Sequence, residues 1–190
     1  MRKVIYSMGG VSLDGFVAGP DGTFDWGRPD EELHRFHNER VRETGVHLLG
    51  RRLYEVMTYW ETAEEDPALP DHMAEFARIW KPLPKIVYSK TLEAVEGNST
   101  LARDVDVDQI LELKEQPGKD IAVGGPGLAS TLIELGLVDE YRLFFNPVIT
   151  GGGTPFFPAL EDRIDLELIE TRTFGSRVVY ARYQPAAATR

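Results

Sequence analysis

Ile121-Ala122-Val123 runs straight into Gly124-Gly125-Pro126-Gly127, and Leu128-Ala129-Ser130-Thr131-Leu132-Ile133 follows with helical character. A buried strand, a glycine-rich turn and a helix start in that order commit this part of the chain to an α/β unit. The same order makes an anion site. Glycines let the backbone approach a phosphate closely, and the free N–H groups of a helix's first turn point at it. The stretch therefore reads as the pyrophosphate grip of a nucleotide cofactor. The plain alternative is a tight strand-to-helix turn, because Gly125-x-Gly127-x-x-Ser130 lacks the third small residue of the dinucleotide fingerprint. The stretch also falls late in the chain, and no acid ends the next strand to receive a ribose hydroxyl.

The rest of the chain repeats the alternation. Short apolar runs at 4–8, 46–50, 84–89, 99–103 and 140–148 read as strands. Amphipathic stretches at 29–44, 51–60, 71–80 and 107–114 read as helices. Two long strands, 165–174 and 177–184, are joined by Gly175-Ser176, which forces an antiparallel hairpin. The expectation is one α/β domain over 1–184, with a mostly parallel central sheet flanked by helices and a frayed tail at 185–190. Residues 9–28 have no helical period and are rich in Gly, Asp and Pro, as expected of a structureless functional loop or lid.

A net charge of −10 argues against a nucleic-acid partner, which wants a basic face. No apolar run approaches membrane-spanning length, and no signal peptide is visible. The absence of cysteine rules out disulfides and thiolate metal sites and fits a reducing cytoplasm. His34 and His37 are three apart on one helix, but no third ligand is evident, so a solvated helix face and no metal are expected.

Several short motifs occur in a telling order. They are Ser12-Leu13-Asp14-Gly15, Trp26, Leu49-Gly50-Arg51-Arg52, Ser89-Lys90-Thr91, Val123-Gly124-Gly125-Pro126-Gly127, and Asn146-Pro147-Val148-Ile149-Thr150-Gly151-Gly152-Gly153-Thr154-Pro155. In this order they resemble the dihydrofolate reductase-like, three-layer fold. The similarity is greater to the reductase domain at the C-terminal end of bacterial riboflavin-biosynthesis deaminase-reductases, and it covers about Met1 to Gln184. It implies NADPH along the C-terminal edge of the sheet, a small-molecule substrate and a homodimer. It also implies that Gly124-Gly125 is a cis peptide. Cofactor-binding candidates are Gly50, Arg51, Arg52, Ser89, Lys90, Gly124, Gly125, Pro126, Gly127, Leu128 and Thr150. Two basic elements near one nucleotide favour NADPH over NADH, since the 2′-phosphate adds charge.

Substrate-binding candidates are Ser12, Asp14, Trp26, Gly152 and Thr154. Gly151-Gly152-Gly153-Thr154 reads either as a second anion nest, for a substrate phosphate or the nicotinamide end, or as a flexible crossover. Hydride transfer to a C=N acceptor also needs a proton, best given by a carboxylic acid with a raised pKa. By the resemblance that acid sits at the start of the helix after the long loop. Asp30, Glu31 and Glu32 all lie there, and Glu32, Glu31 and Asp14 are the catalytic candidates. Three functions stay open. The first is an NADPH-dependent reductase of a small heterocyclic or ribosylaminopyrimidine substrate, as in the riboflavin-pathway 5-amino-6-(5-phosphoribosylamino)uracil reductases. The others are a dihydrofolate reductase, and a nucleotide-binding protein of the same fold without turnover.

Overall fold

Apolar residues at alternate positions, Val4 and Tyr6, Val46 and Leu48, Ile121 and Val123, are all buried and face one side of a sheet. The computed structural model describes residues 1–187. Its first elements are β1 (Val4–Ser7), β2 (Val11–Ser12), β3 (Phe16–Ala18), α1 (Glu31–Arg42), β4 (Thr44–Gly50), α2 (Arg51–Met57) and α3 (Tyr59–Thr62). Next come α4 (Asp71–Trp80), β5 (Lys85–Tyr88), β6 (Ser99–Ala102), α5 (Val107–Glu115), β7 (Asp120–Gly124) and α6 (Pro126–Glu134). The chain closes with β8 (Glu140–Asn146), β9 (Thr154–Pro155), β10 (Leu166–Thr173) and β11 (Val179–Pro185).

The main sheet has the order β10-β11-β8-β1-β7-β4-β5-β6, with β2 also paired to β8. All pairings from β8 to β6 are parallel, and β11 and β10 add an antiparallel hairpin at one edge. Helices cover both faces. Leu128, Ala129, Leu132 and Ile133 of α6, with Ile110 of α5, pack on the first face. On the other face Leu49 and Val87 meet Tyr54, Phe76 and Trp80 of α2 and α4, while Leu33 and Phe36 of α1 cover Phe144 and Tyr180. The expected α/β, three-layer architecture is present.

The strand order creates one crevice. The connection after β4 leads outward to β5, whereas α6 carries the chain from β7 back across β1 to β8. Neighbouring strands whose connections diverge leave a gap beyond their C-terminal ends, where ligands of open α/β sheets bind. Leu49 is in register with Gly124, so the Gly50 and Gly125 turns stand side by side at that gap.

Three local expectations are corrected. Residues 9–28 are not structureless: β2 runs beside β8 and β3 pairs with β9, both too short to show a period. The helix expected over 51–60 is broken at Thr58, whose hydroxyl donates to the Glu55 carbonyl. His34 and His37 do not lie on a solvated face. With Leu33 and Phe36 they follow the packed side of α1. His34 is buried, with its ring 4.9 Å from that of His72 on α4, and the His37 ring lies 4.3 Å from that of Phe144. Pro185 is the last residue of β11 and Ala186 donates to the Asp165 carbonyl; residues 188–190 of the expected tail lie outside the described residues.

Burial pushes the His37 imidazole down to about 4, with His34 adding repulsion, and burial with the Lys85 charge does the same to His47. An unfolded imidazole titrates near ~6.5, so between these values the unfolded chain binds more protons. Stability is therefore complete above about pH 6.5 and declines as pH falls toward 4. His37→Gln is expected to flatten the melting temperature against pH over that interval; an unchanged slope would remove His37 from this role.

Candidate active site at the C-terminal edge of the sheet

Gly125 has φ +97°, a conformation that glycine adopts without strain, and it serves as the N-cap of α6 with Pro126 at the first helical position. A Cβ on Gly125 would lie 3.4 Å from the Gly50 nitrogen, so the two backbones touch. A Cβ on Gly124 would run into Leu53 and come within 3.0 Å of His47 Nε2. Gly127 is different: a Cβ there would meet nothing within 4 Å, so the first turn of α6 borders open space. Neither Gly50 nor Gly125 supplies a side-chain cap, and two helix starts bring free N–H donors to one crevice. A pyrophosphate fits this donor set. The Gly124–Gly125 bond is trans, since the described residues contain no cis peptide. The expected cis bond is corrected; the positive φ of Gly125 turns the chain instead.

Basic groups line the neighbouring strand ends. Arg51 donates to Thr91 Oγ1 at 2.6 Å and to Glu55 at 2.8 Å, so its guanidinium is held at the start of α2. Arg52 is exposed and, among the described residues, makes no ion pair. Lys90 meets Asp104 at 2.7 Å, but both are well exposed, so the pairing is weak. Ser89 is buried and its hydroxyl accepts from the Thr91 and Leu92 amides, which shapes the turn after β5. Thus Gly50, Arg51, Arg52, Ser89, Lys90 and the Gly124–Leu128 turn share one sheet edge.

Thr150 lies with the substrate candidates instead. Asp14 Oδ1 accepts from the Thr150 amide at 3.1 Å and Asp14 Oδ2 from the Gly151 amide at 2.7 Å. Ser12 is fully buried, and its hydroxyl accepts from the Phe16 amide. Gly152 lies against Pro20, and Thr154 pairs with Ala18 between β3 and β9. Trp26 sits over Gly10 and, with Thr150, Asp21 and Thr23, lines an open depression of about 380 Å³. Its indole N–H is buried without a partner. Ser12, Asp14, Trp26, Thr150, Gly152 and Thr154 therefore belong to two loops stitched together.

The acids do not have the raised pKa expected of a proton donor. The Ser12 hydroxyl and the Thr150 and Gly151 amides hold Asp14 down to about 2. A hydrogen bond from Arg35 lowers Glu31. Glu32 is lowered by the Gly175 amide and by Arg172, at 3.0 and 3.1 Å. Each carboxylate is satisfied in its ionised form, and Asp30 is spent capping α1 through the Leu33 amide.

A family model described as the RibD C-terminal domain matches residues 2–180. The chain belongs to the RibD C-terminal domain family. It is 34% identical over 183 residues to the uncharacterised protein YyaP of Bacillus subtilis (strain 168), covering 96% of this chain and 94% of that one. Its fold is that of the Thermotoga maritima diaminohydroxyphosphoribosylaminopyrimidine deaminase/5-amino-6-(5-phosphoribosylamino)uracil reductase (TM-score 0.66, 18% identity, 97% of this chain and 57% of that chain). The fold is shared too with an Enterococcus faecalis dihydrofolate reductase complexed with NADP(H) (TM-score 0.65, 17% identity, 98% and 97%).

Sequence reasoning missed three contributors at this edge. Arg103 donates to the Ser89 and Leu92 carbonyls and braces the turn after β5. Met8 Sδ accepts the Gly125 amide at 3.3 Å, a weak bond that ties β1 to the glycine turn. His47 lies beneath Gly124. Only Arg103 left a trace, as a cation at the end of the strand expected over 99–103. The Asp14 bridge has a direct readout: Asp14→Asn is expected to speed hydrogen exchange at the Thr150 and Gly151 amides while core amides stay protected. Unchanged exchange at those two sites would show that the bridge does not hold the loops.

Proposed function

We propose that this protein is an NADPH-dependent reductase that delivers a hydride to a small heterocyclic or ribosylaminopyrimidine substrate. The observation that carries this reading is the crevice where the Gly50 and Gly125 turns meet between two uncapped helix starts. When bound, the nicotinamide supplies the hydride. The protein's part is to bind, orient and exclude water. The first turn of α6 takes the pyrophosphate, and Arg51, Arg52 and Lys90 lie where a 2′-phosphate would be held. The loops joined by Asp14 cover the substrate end. Family membership supports the reading, as do the reductases named among the fold's neighbours. A homodimer is part of the proposal; the open edge strand β10, with Leu168 and Ile169 exposed, is a surface suited to it.

Proton supply is the weak part of the chemistry, because Asp14, Glu31 and Glu32 are all held ionised. That observation favours a second reading, nucleotide binding without turnover. In the reductase reading the proton comes from solvent or the substrate itself.

Titration with NADPH and NADH tests the cofactor. NADPH is expected to bind at least about tenfold more tightly than NADH, ~1.4 kcal/mol. Arg51→Gln or Arg52→Gln should remove most of that margin and leave NADH nearly unchanged. Equal binding of the two nucleotides would sink the 2′-phosphate role, and binding of neither would sink the reductase reading.

A further inference from the structure

A buried cation lies close to the underside of the glycine turn. Lys85, the first residue of β5, has a wholly buried side chain, and its counter-ion is Glu61 of α3 at 3.1 Å. Its ammonium stands 4.8 Å from the centre of the Trp80 ring. His47 of β4 is its neighbour in register, and the His47 ring meets the same Trp80 edge-on at 5.5 Å. His47 in turn reaches the crevice: a Cβ on Gly124 would come within 3.0 Å of its Nε2. Glu61, Lys85, Trp80, His47 and Gly124 thus form a continuous column from α3 to the turn that precedes α6.

Stability does not account for this column. A buried ion pair loses in desolvation much of what it gains in attraction, and an apolar side chain at position 85 would pack on Trp80 as well. His47 Nδ1 and Trp80 Nε1 are buried without a hydrogen-bond partner, and the Lys85 ammonium has only its ion contact with Glu61. Unpartnered polar atoms weaken a core, so their gathering under the turn calls for another role.

That role is electrostatic. The His47 ring is met by Leu53 of α2, Trp80 of α4, Ala122 and Gly124 of β7 and Lys85 of β5, and of these Lys85 alone carries a charge. Burial and then the Lys85 charge hold the imidazole in its neutral form. An imidazolium here would attract an anion gripped by the turn above it, and would tie the affinity for that anion to pH.

We propose that Lys85 is a positioning residue for the cofactor: its buried ammonium keeps His47 uncharged beneath the Gly124–Gly125 turn, so that the turn grips the nucleotide equally across neutral and mildly acidic pH. The inference rests on the reading of the Gly50–Gly125 crevice as the nucleotide site and deepens it. Lys85 acts through His47, from below the turn.

The test compares the native chain with Lys85→Met/Glu61→Gln, which removes both charges together and keeps an unbranched side chain against Trp80. With four histidines in the chain, the His47 ring can be followed by NMR as pH is varied. In the native chain its midpoint lies at about 4. In the variant it is expected to rise by about one unit. NADP⁺ affinity is then titrated from pH 7.5 to 5 for both proteins. Taking the ratio of the two cancels the titration of the nucleotide's own phosphate. The variant is expected to gain at least about threefold over the native chain as pH falls, because its imidazolium forms under the bound pyrophosphate. Adding His47→Gln to the variant should abolish that gain. An unchanged His47 midpoint overturns the inference and leaves the cofactor reading standing. A raised midpoint with an affinity ratio that stays flat in pH overturns it too, by separating His47 from the turn. Failure of the native chain to bind NADP⁺ overturns the reductase reading and this inference with it.

Discussion

The contact between the Gly50 and Gly125 backbones is the constraint on which the site depends. Two parallel strands deliver their turns to the same point, and a Cβ on Gly125 would come within 3.4 Å of the Gly50 nitrogen. That closeness sets two helix N-termini side by side, so their unpaired N–H groups act on one volume. It exists only because β7 is inserted between β1 and β4 late in the chain, which makes the connections on either side diverge. The Met8 sulfur, the His47 ring and the Leu53 side chain fill the space beneath, so the turn is supported from the core.

A second organising feature is the treatment of carboxylates. Asp14 joins two loops, Glu32 fastens α1 to the final hairpin, Asp30 caps α1, and Glu75 takes Asn38 and Arg42 where α1 meets α4. A chain with a net charge of −10 thus uses acids as acceptors for backbone and guanidinium donors. The consequence is that Asp14, Glu31 and Glu32 are each held below the usual carboxylate range by donors of their own chain.

Much of this was legible in the sequence. Strand alternation and the Gly124–Gly127 turn are local patterns, Gly175-Ser176 marked the antiparallel hairpin although its turn also takes in Arg177 at φ +65°, and Asp71–Trp80 matched its expected helix to the residue. Order of motifs carried Arg51 and Ser89 to the same edge as Gly125. The failures were non-local. β2 and β3 are two and three residues long and owe their existence to β8 and β9, which lie far along the chain. His34 and His37 looked solvated because polarity was read without the partner surfaces of α4 and β8. The Gly151–Gly153 loop was visible, but that Asp14, 137 residues earlier than Gly151, takes the Gly151 amide was not.

A crystal structure of the NADP⁺ complex tests the central claim most directly. Pyrophosphate oxygens within ~3 Å of the Gly127 and Leu128 amides, with the adenosine end running past Arg51, are the predicted result. A nucleotide seated elsewhere, with the Gly50–Gly125 crevice holding only solvent, would contradict it.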